Sequence, residues 1–275
     1  MKTDRRGRPG RGERADRRNE RPGRPRGGER RGEDLLYGRN AVLEALRGRR
    51  QSGRLLIAEG VRDDERILAL RESAATKEIP IDHPPKALLD ELTRGANHQG
   101  VALEASTYPY VSLDELEAAT GTVLVLDHLQ DPQNVGTLLR AAEAAGVAGV
   151  IMANNRAVEV TPAVVNASAG AVEHLRITQV ANLAHMTDTL KELGWWIVGL
   201  HTGPEVADLY ATDLPSPVAL IVGAEGTGLS QLLRQRCDLL VALPMLGKVA
   251  SLNAATAGAI ALFDIVRRQR DDAHL

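Results

Sequence analysis

The chain has 275 residues, 43% hydrophobic and 25% charged, so it can bury a sizeable core in about two domains. A single cysteine, Cys237, excludes an internal disulfide and a multi-cysteine zinc site, and we expect a reducing, cytoplasmic setting. No apolar run approaches the roughly 18 residues that span a bilayer, and the start lacks the apolar stretch of a secretory signal, so no membrane association is expected.

The net charge of -2 conceals an uneven distribution. Residues 1–31 contain 13 Lys and Arg against 5 Asp and Glu, whereas the rest of the chain contains 21 against 31. This first segment has no periodic apolar positions, so we predict a disordered Arg/Gly-rich tail over residues 1–33. The tail is either a solubilising extension or an arm that neutralises nucleic-acid phosphates. We favour the arm, because Arg-Gly segments suit single-stranded nucleic acid.

Residues 34–105 are predicted to form a small α/β domain, because short apolar runs alternate there with helical patterns. A linker at 106–120 follows, in which Ser112 and Glu115 have capping-box spacing and predict a short helix. The predicted helices of this half are 40–46, 64–74, 85–92 and 112–119, and the predicted strands are 55–58, 79–81 and 100–104.

Residues 121–270 are predicted to form repeated strand-helix units around a largely parallel sheet, because their strands are apolar almost throughout and must be covered on both faces. Asp131-Pro132 and Thr161-Pro162 pair an N-cap with a proline at the first helical position, and Gly194 is expected to end the helix 182–193. The predicted strands are 122–126, 149–152, 175–180, 195–200, 218–222 and 239–243.

Polar residues stand where predicted strands end, which is where open α/β sheets bind ligands. The first such segment contains Asn134, Gly136 and Arg140. If its helix begins at Pro132, Gly136 and Arg140 lie one turn apart on one face. The missing side chain of Gly136 then either leaves room for the guanidinium or a ligand, or merely permits tight helix packing.

The second segment, 220–229, is a strand that runs into a glycine-rich turn, where backbone N–H groups can approach a ligand closely. It has neither the Gly-Lys-Ser/Thr of a P-loop nor the order of the dinucleotide fingerprint. Glu225 in this turn would suit a cationic or hydroxyl-bearing ligand better than a phosphate. An ordinary tight turn is the alternative.

The third segment, 243–253, opens a long apolar helix that is expected to reach about residue 268. Ser251 or Asn253 alone would be read as a plain N-cap. The presence of both after a glycine-containing loop favours a functional role.

Together the three segments resemble the three motifs of the SpoU (TrmH-like) family of RNA ribose 2'-O-methyltransferases, which belongs to the SPOUT superfamily. Two earlier stretches, 37–46 and 98–100, resemble the substrate-binding domain of the same family, so the resemblance covers roughly residues 35–270. The motifs are matched by Asn134-x-Gly136-x-x-x-Arg140, by Gly223-Ala224-Glu225-Gly226-x-Gly228-Leu229, and by Pro244-Met245 followed by Ser251-Leu252-Asn253.

The resemblance implies an α/β fold in which 121–270 form a parallel-sheet methyltransferase domain with a trefoil knot, and 34–105 form a ribosomal-protein-like substrate-binding domain. It also implies S-adenosylmethionine as cofactor, and it suggests which residues act. The residues implied as catalytic are Asn134, Arg140, Glu225, Ser251 and Asn253, and those implied as cofactor contacts are Gly223, Leu243 and Leu252.

By the same resemblance, Arg140 acts at the ribose hydroxyl with help from Ser251 and an RNA phosphate. A guanidinium is normally always protonated. Arg140 is therefore either an unusual base or a group that orients the phosphate and hydroxyl while another group accepts the proton.

The expected partners follow from the resemblance and from the charge. A homodimer with active sites near the subunit interface is implied, and no metal; His128 and His174 are interpreted as isolated polar positions. Because the body is acidic, we expect local basic patches to hold phosphates. The arginines predicted for such a patch are Arg47, Arg49, Arg50 and Arg54.

Among family members, the arrangement is most similar to bacterial enzymes that methylate a guanosine ribose in the peptidyl-transferase region of 23S rRNA. The expected partner is therefore 23S rRNA or a pre-ribosomal particle. One alternative is a tRNA ribose 2'-O-methyltransferase, which shares the three motifs. Another is a non-catalytic RNA-binding factor of ribosome assembly, although such a factor would not need the full set of motif residues.

Overall fold

Two sheets organise the fold, and each is built from one half of the chain. The computed structural model describes residues 33–117, 121–155, 157–203 and 206–272. The predicted tail lies outside these residues except for Glu33, with which the first strand begins. The N-terminal half contains the strands β1 Glu33–Tyr37, β2 Ser52–Ile57, β3 Ile81–Asp82 and β4 Val101–Ser106, and the helices α1 Arg39–Arg47, α2 Glu65–Thr76 and α3 Lys86–Leu92.

The N-terminal sheet has the order β1-β4-β2-β3, in which β4 pairs antiparallel with both neighbours and β3 lies parallel to β2. Its predicted helices and its other strands are confirmed within a few residues, but β1 was not predicted. The apolar run of β1 is short and lies directly between the charged tail and α1, so it shows too few alternating positions to be recognised as a strand. Pairing with β4 stabilises it.

The C-terminal half forms a seven-stranded sheet with the order β7-β6-β5-β10-β8-β11-β9, and all of its strand pairs are parallel. Its elements are α4 Asp114–Glu117, β5 Thr122–Asp127, α5 Pro132–Ala145, β6 Gly149–Ala153, α6 Pro162–Ala167, a 3-10 turn Ala171–His174, β7 Ile177–Val180, α7 Leu183–Glu192, β8 Trp196–Leu200, β9 Ala207–Asp208, β10 Val218–Gly223, α8 Gln231–Arg236, β11 Leu239–Ala242 and α9 Ala254–Asp272.

Both faces of the seven-stranded sheet are buried, as its apolar strands predict. Leu124 and Leu126 of β5 belong to one core cluster together with residues of α5 and α9. Val123 and Val125 of the same strand belong to a second cluster with residues of α7 and α8. The parallel α/β architecture is thereby confirmed.

The predicted helix starts are also present. The Asp131 carboxylate accepts a hydrogen bond from Gln133 N at 3.1 Å, with Pro132 at the first helical position. Glu115 accepts from the backbone N of Ser112 at 3.1 Å. The strand predicted from residue 175 begins only at Ile177. Leu175 stays outside the ladder because its carbonyl accepts from Tyr108 Oη at 2.7 Å.

A buried charge cluster joins the two halves, which belong to one compact unit. The side chain of Arg50 is 0% exposed; its Nε donates to Glu173 Oε1 at 2.9 Å and its Nη1 to Asp34 Oδ2 at 2.7 Å. The ring of Tyr108 lies 5.3 Å from the guanidinium carbon. Arg50 and Asp34 come from the N-terminal half, whereas Glu173 lies in the 3-10 turn of the C-terminal half.

The predicted basic patch is therefore wrong for Arg50, which is buried in an ion pair and not offered to phosphates. Its three companions are engaged as well: Arg47 with Glu44, Arg49 with the carbonyl of Leu175, and Arg54 with two carboxylates of its own sheet. His174 is not isolated either, because its Nε2 lies 2.7 Å from Glu44 Oε2. Charges whose partners come from the other half of the chain cannot be paired by reading the sequence locally.

Among the described residues, the helices are all too short or too polar to span a membrane.

Candidate active site

The three polar segments leave the sheet at the same edge. β5 and β10 are neighbours, with Asp127 in register with Gly223, and β8 and β11 follow beyond β10. Because parallel strands share a carboxyl edge, the segments that follow β5, β10 and β11 emerge side by side. The fold therefore brings the three segments together at one edge.

The glycine-rich turn after β10 folds back on itself. Gly228 N donates to Ala224 O at 2.8 Å, and Gly226 and Gly228 have φ values of 75° and 64°, which favour glycine. A Cβ at Gly223 would lie 2.5 Å from Leu229 N and closer still to the Gly228 carbonyl. Gly223 is therefore required by the backbone that crosses above it. Glu225, at the outside of the turn, is exposed.

Asn253 connects all three segments. Its Oδ1 accepts from Ala255 N and Thr256 N at 2.9 and 3.1 Å, which makes it the N-cap of α9. Its Nδ2 donates to Asn134 Oδ1 at 2.8 Å and, in a very short hydrogen bond, to Glu225 Oε1. Asn253 is therefore an N-cap through its Oδ1 and joins two other motif residues through its Nδ2, and its functional role stays a prediction.

Of the two roles considered for Gly136, room for a ligand or tight helix packing, the structure supports tight helix packing. A Cβ there would lie 2.9 Å from Ser168 N and closer still to the Cβ of Ala167, at the end of α6. The missing side chain lets α5 and α6 pack tightly and leaves no room for a ligand or for the guanidinium of Arg140. The space above a helical glycine depends on a neighbour that is distant in sequence, so spacing alone could not decide between the two roles.

A cavity of about 510 Å³ opens beside the glycine-rich turn. Of the predicted residues, Gly223, Glu225, Leu243, Ser251, Leu252 and Asn253 line it. Asn134 is joined to it through Asn253. Arg140 is not among the lining residues; its side chain is exposed and has no hydrogen bond or ion pair to any residue in the described ranges.

Residues after β8 complete the cavity and were not predicted. His201 and Thr202 line it, and His201 lies under the turn, since a Cβ at Gly228 would be 3.3 Å from its Nδ1. Burial lowers the pKa of His201, and the nearby charge of Arg234 lowers it further. The rule that ligands bind at carboxyl ends of strands applies to β8 as well, so His201 and Thr202 could have been found from their position after this strand.

A buried carboxylate anchors this turn and was also missed. Asp127 is 1% exposed; its Oδ2 accepts from Ser230 N at 2.6 Å and its Oδ1 from His128 Nδ1 at 2.5 Å. Ser230 follows the glycine-rich turn directly, so Asp127 fixes the far end of the turn to β5. The interpretation of His128 as isolated is wrong, because the acceptor is the residue immediately before it.

Replacing Gly223 tests the packing of the turn. We expect Gly223→Ala to destabilise the protein by about 1–3 kcal/mol, because the added methyl overlaps backbone that cannot move without opening the turn. The measurement is urea unfolding of both proteins. Gly146→Ala is a comparison for glycine substitution in general, since a Cβ there meets nothing within 4 Å and only its φ of 72° opposes the change. A loss for Gly223→Ala no larger than that for Gly146→Ala would contradict the prediction.

Two family models match the chain: the SpoU rRNA Methylase family over residues 121–263, and the RNA 2'-O ribose methyltransferase substrate-binding family over residues 35–111. Together they include both sheets. The first match contains all three segments that meet at the cavity.

Individual relatives agree with these matches. An uncharacterised tRNA/rRNA methyltransferase of Synechocystis is 38% identical over 87% of this chain, which spans 64% of that relative. YacO of Bacillus subtilis, named for the TrmH family of tRNA/rRNA methyltransferases, is 36% identical over 86% of this chain and 96% of its own length.

A solved structure is similar over the same range. The crystal structure of the SpoU methyltransferase AviRb from Streptomyces viridochromogenes, in complex with its cofactor AdoMet, superposes with a TM-score of 0.74 and 26% identity. The match covers 87% of this chain and 91% of AviRb. With the family models, these likenesses show that the chain belongs to the SpoU family of RNA methyltransferases.

Proposed function

We propose that this protein transfers the methyl group of S-adenosylmethionine to the 2'-oxygen of a ribose in RNA. The observation that carries the proposal is the side chain of Asn253, which joins Asn134 and Glu225 at the mouth of the cavity. Residues from three distant segments converge there, and the three residues that Asn253 brings together are all residues of the family's motifs. The AdoMet complex of AviRb supports the choice of cofactor.

The cavity fits such a cofactor. Its volume of about 510 Å³ lies within the range of small-molecule sites, roughly 300–1,000 Å³, and its walls combine apolar side chains with polar groups. Leu243 and Leu252 offer apolar side chains, and Gly223 offers backbone without a side chain in the way. The Glu225 carboxylate suits a cationic sulfonium. When bound, S-adenosylmethionine supplies the electrophilic methyl group.

Arg140 has a different task in the proposal. It lies outside the cavity, exposed and without a partner among the residues described, so its guanidinium is available to the RNA. Because a guanidinium stays protonated, we assign it to holding a phosphate and orienting the 2'-hydroxyl rather than to accepting the proton. Ser251, at the mouth of the cavity, assists at the same hydroxyl.

For the substrate, we propose a guanosine of 23S rRNA in the peptidyl-transferase region. The substrate-binding domain, matched over residues 35–111, gives the protein a second RNA-facing part, which suits a folded rRNA target. The alternative is a tRNA ribose methyltransferase, and the names of the relatives include both kinds of RNA.

We further propose that two copies form a homodimer and that the C-terminal half is knotted as in other SPOUT enzymes. Large apolar side chains lie exposed on α9 and on the loop before it. Phe263 is 50% exposed, Val249 70% and Leu246 98%. Burial of such a patch between two copies would remove these side chains from water.

Methyl transfer tests the proposal. We expect tritiated methyl groups of S-adenosylmethionine to pass to an rRNA fraction, and Arg140→Ala to slow the transfer by about 100-fold because the hydroxyl loses its orientation. Arg176→Ala is the matched control: this arginine is also exposed and unpartnered among the described residues, but it precedes β7 and lies at the opposite edge of the sheet. Transfer to tRNA alone would favour the alternative substrate. No transfer to either RNA, despite cofactor binding, would favour the assembly factor.

A further inference from the structure

The N-terminal half contains a second cavity, of about 580 Å³, which the methyl-transfer proposal does not use. It lies where the start of α1, the loop after β2 and the loop before β4 meet. Its lining includes the side chains of Arg39, Lys86, Asn97 and Gln99. The volume is within the range of small-molecule sites, about 300–1,000 Å³.

Hydrogen bonds hold the walls of this cavity in place. Gln99 accepts from Arg39 N at 3.2 Å through its side chain, and from Arg39 Nε at 3.1 Å through its carbonyl. His98, 3% exposed, accepts from Gly100 N at 3.0 Å through Nδ1, so its Nε2 carries the proton that Asp90 accepts at 2.9 Å. The loop before β4 is therefore preformed, with Gln99 at a φ of 53°. A preformed wall lowers the cost of binding a ligand.

Three polar side chains of the lining have no partner among the described residues: the charged groups of Lys86 and Glu59, and the uncharged amide of Asn97. The amide of Asn97 is exposed and has no hydrogen-bond partner among the described residues. An amide offers both a donor and an acceptor, and it therefore matches the edge of a nucleobase, which presents both.

Arg39 of the lining is paired with Asp64, but three other cations in or beside the segments that line the cavity differ from those elsewhere in this half. Arg47, Arg50, Arg54 and Arg71 are each paired with a carboxylate of the protein. Arg62, Arg66 and Lys86 are exposed and have no side-chain partner within the described ranges.

These three cations lie in or near the segments that line the cavity. Lys86 lines the cavity, Arg62 follows the lining residue Val61, and Arg66 lies in the first turn of α2, next to the Asp64 that binds Arg39. Free positive charge therefore borders the mouth of the cavity, where a polyanion would meet it.

We propose that this cavity takes up one unpaired nucleotide of the RNA substrate, with the flanking phosphates on Arg62 and Lys86 and the base against Asn97. A base inside a duplex cannot enter a recess of this kind, whereas an unstacked base can, so the ligand is single-stranded RNA or a loop. The inference rests on the proposed function in one respect, that the substrate is RNA. It adds a second RNA-binding site, in the N-terminal half and outside the methyl-transfer site.

Binding of a fluorescein-labelled single-stranded oligoribonucleotide, followed by anisotropy over a salt series, tests this site. Each phosphate contact to a single strand contributes about 0.7 to the slope of log affinity against log salt concentration, so loss of two contacts flattens the slope by about 1.4. A fourfold rise in salt should then weaken the wild-type protein about sevenfold more than Arg62→Ala/Lys86→Ala. Asn97→Ala should lower the affinity and leave the slope unchanged.

The matched control removes the same charge elsewhere. Arg47→Ala/Arg54→Ala deletes two surface cations of the same half that are already paired, and its slope should stay that of the wild type. An unchanged slope for Arg62→Ala/Lys86→Ala, or an equal change in the control pair, would overturn the site. Equal competition by a duplex of the same sequence would also overturn it.

The same proteins distinguish this inference from the proposed function. If the wild type methylates RNA and the Arg62→Ala/Lys86→Ala variant binds the oligoribonucleotide unchanged, the second cavity alone is rejected. If the wild type binds RNA at the cavity and transfers no methyl group, the proposed function is rejected and the RNA site stands.

Discussion

Removing the Glu173 side chain should cost about 3–5 kcal/mol of the free energy of unfolding. Glu173 is 2% exposed and accepts both hydrogen bonds that Arg50 Nε makes to a carboxylate, at 2.9 and 3.1 Å. In Glu173→Ala, the buried guanidinium keeps Asp34 but loses this partner, and one of its nitrogens, Nη2, already has no hydrogen-bond partner among the described residues. The cost comes from the charge left behind rather than from the net strength of the pair. Urea unfolding midpoints and slopes give the measurement.

Two variants make this result specific. Burial raises the pKa of Glu173 against the opposing effect of Arg50, and a glutamine at this position keeps a carbonyl oxygen that can accept from Arg50 Nε. Glu173→Gln should therefore lose less than Glu173→Ala. Glu104→Ala removes a carboxylate of an exposed pair with Arg54 and should cost about 1 kcal/mol or less. If Glu173→Ala unfolded at the same urea concentration as Glu104→Ala, the buried cluster would not be what joins the two halves.

The elements that the sequence predicts well are those encoded locally. β5 and β10 are runs of six mostly apolar residues, which can be recognised from the sequence of each run alone. Asp131-Pro132 marks the start of α5, because Asp131 is an N-cap and proline suits the first helical position. The edge at which the site lies follows from the parallel arrangement. The position of the motif segments at strand ends could therefore be predicted from the sequence.

Features that depend on distant partners were not predictable in this way. Arg50 reads as a surface cation, yet its partner Glu173 lies 123 positions away in the sequence. Gly136 reads equally as open space or as a packing contact, and Ala167 at the end of α6 decides for packing. In both cases local composition contains no signal, because the neighbour that determines the role belongs to another part of the fold.

Replacing Asn253 by serine should abolish most of the methyl transfer while leaving the fold nearly intact. Serine is as good an N-cap as asparagine, so α9 keeps an acceptor for Ala255 N and Thr256 N. It has no amide group to reach Asn134 and Glu225, so the two side chains lose the donor that holds them together. Loss of one positioned donor in an active site typically lowers the rate by about 100- to 1,000-fold. Single-turnover methyl transfer to rRNA measures it.

Asn182→Ser is the matched control for this change. Asn182 caps α7 in the same manner, accepting from Ala184 N and His185 N at 2.9 and 3.1 Å, and its side chain makes no further hydrogen bond within the described residues. Both variants should therefore unfold within about 1 kcal/mol of the wild type, since each exchanges one good cap for another. Only Asn253→Ser should lose activity. Equal activity in the two variants would mean that Asn253 is a cap and nothing more, and that Asn134 and Glu225 reach their working positions without it.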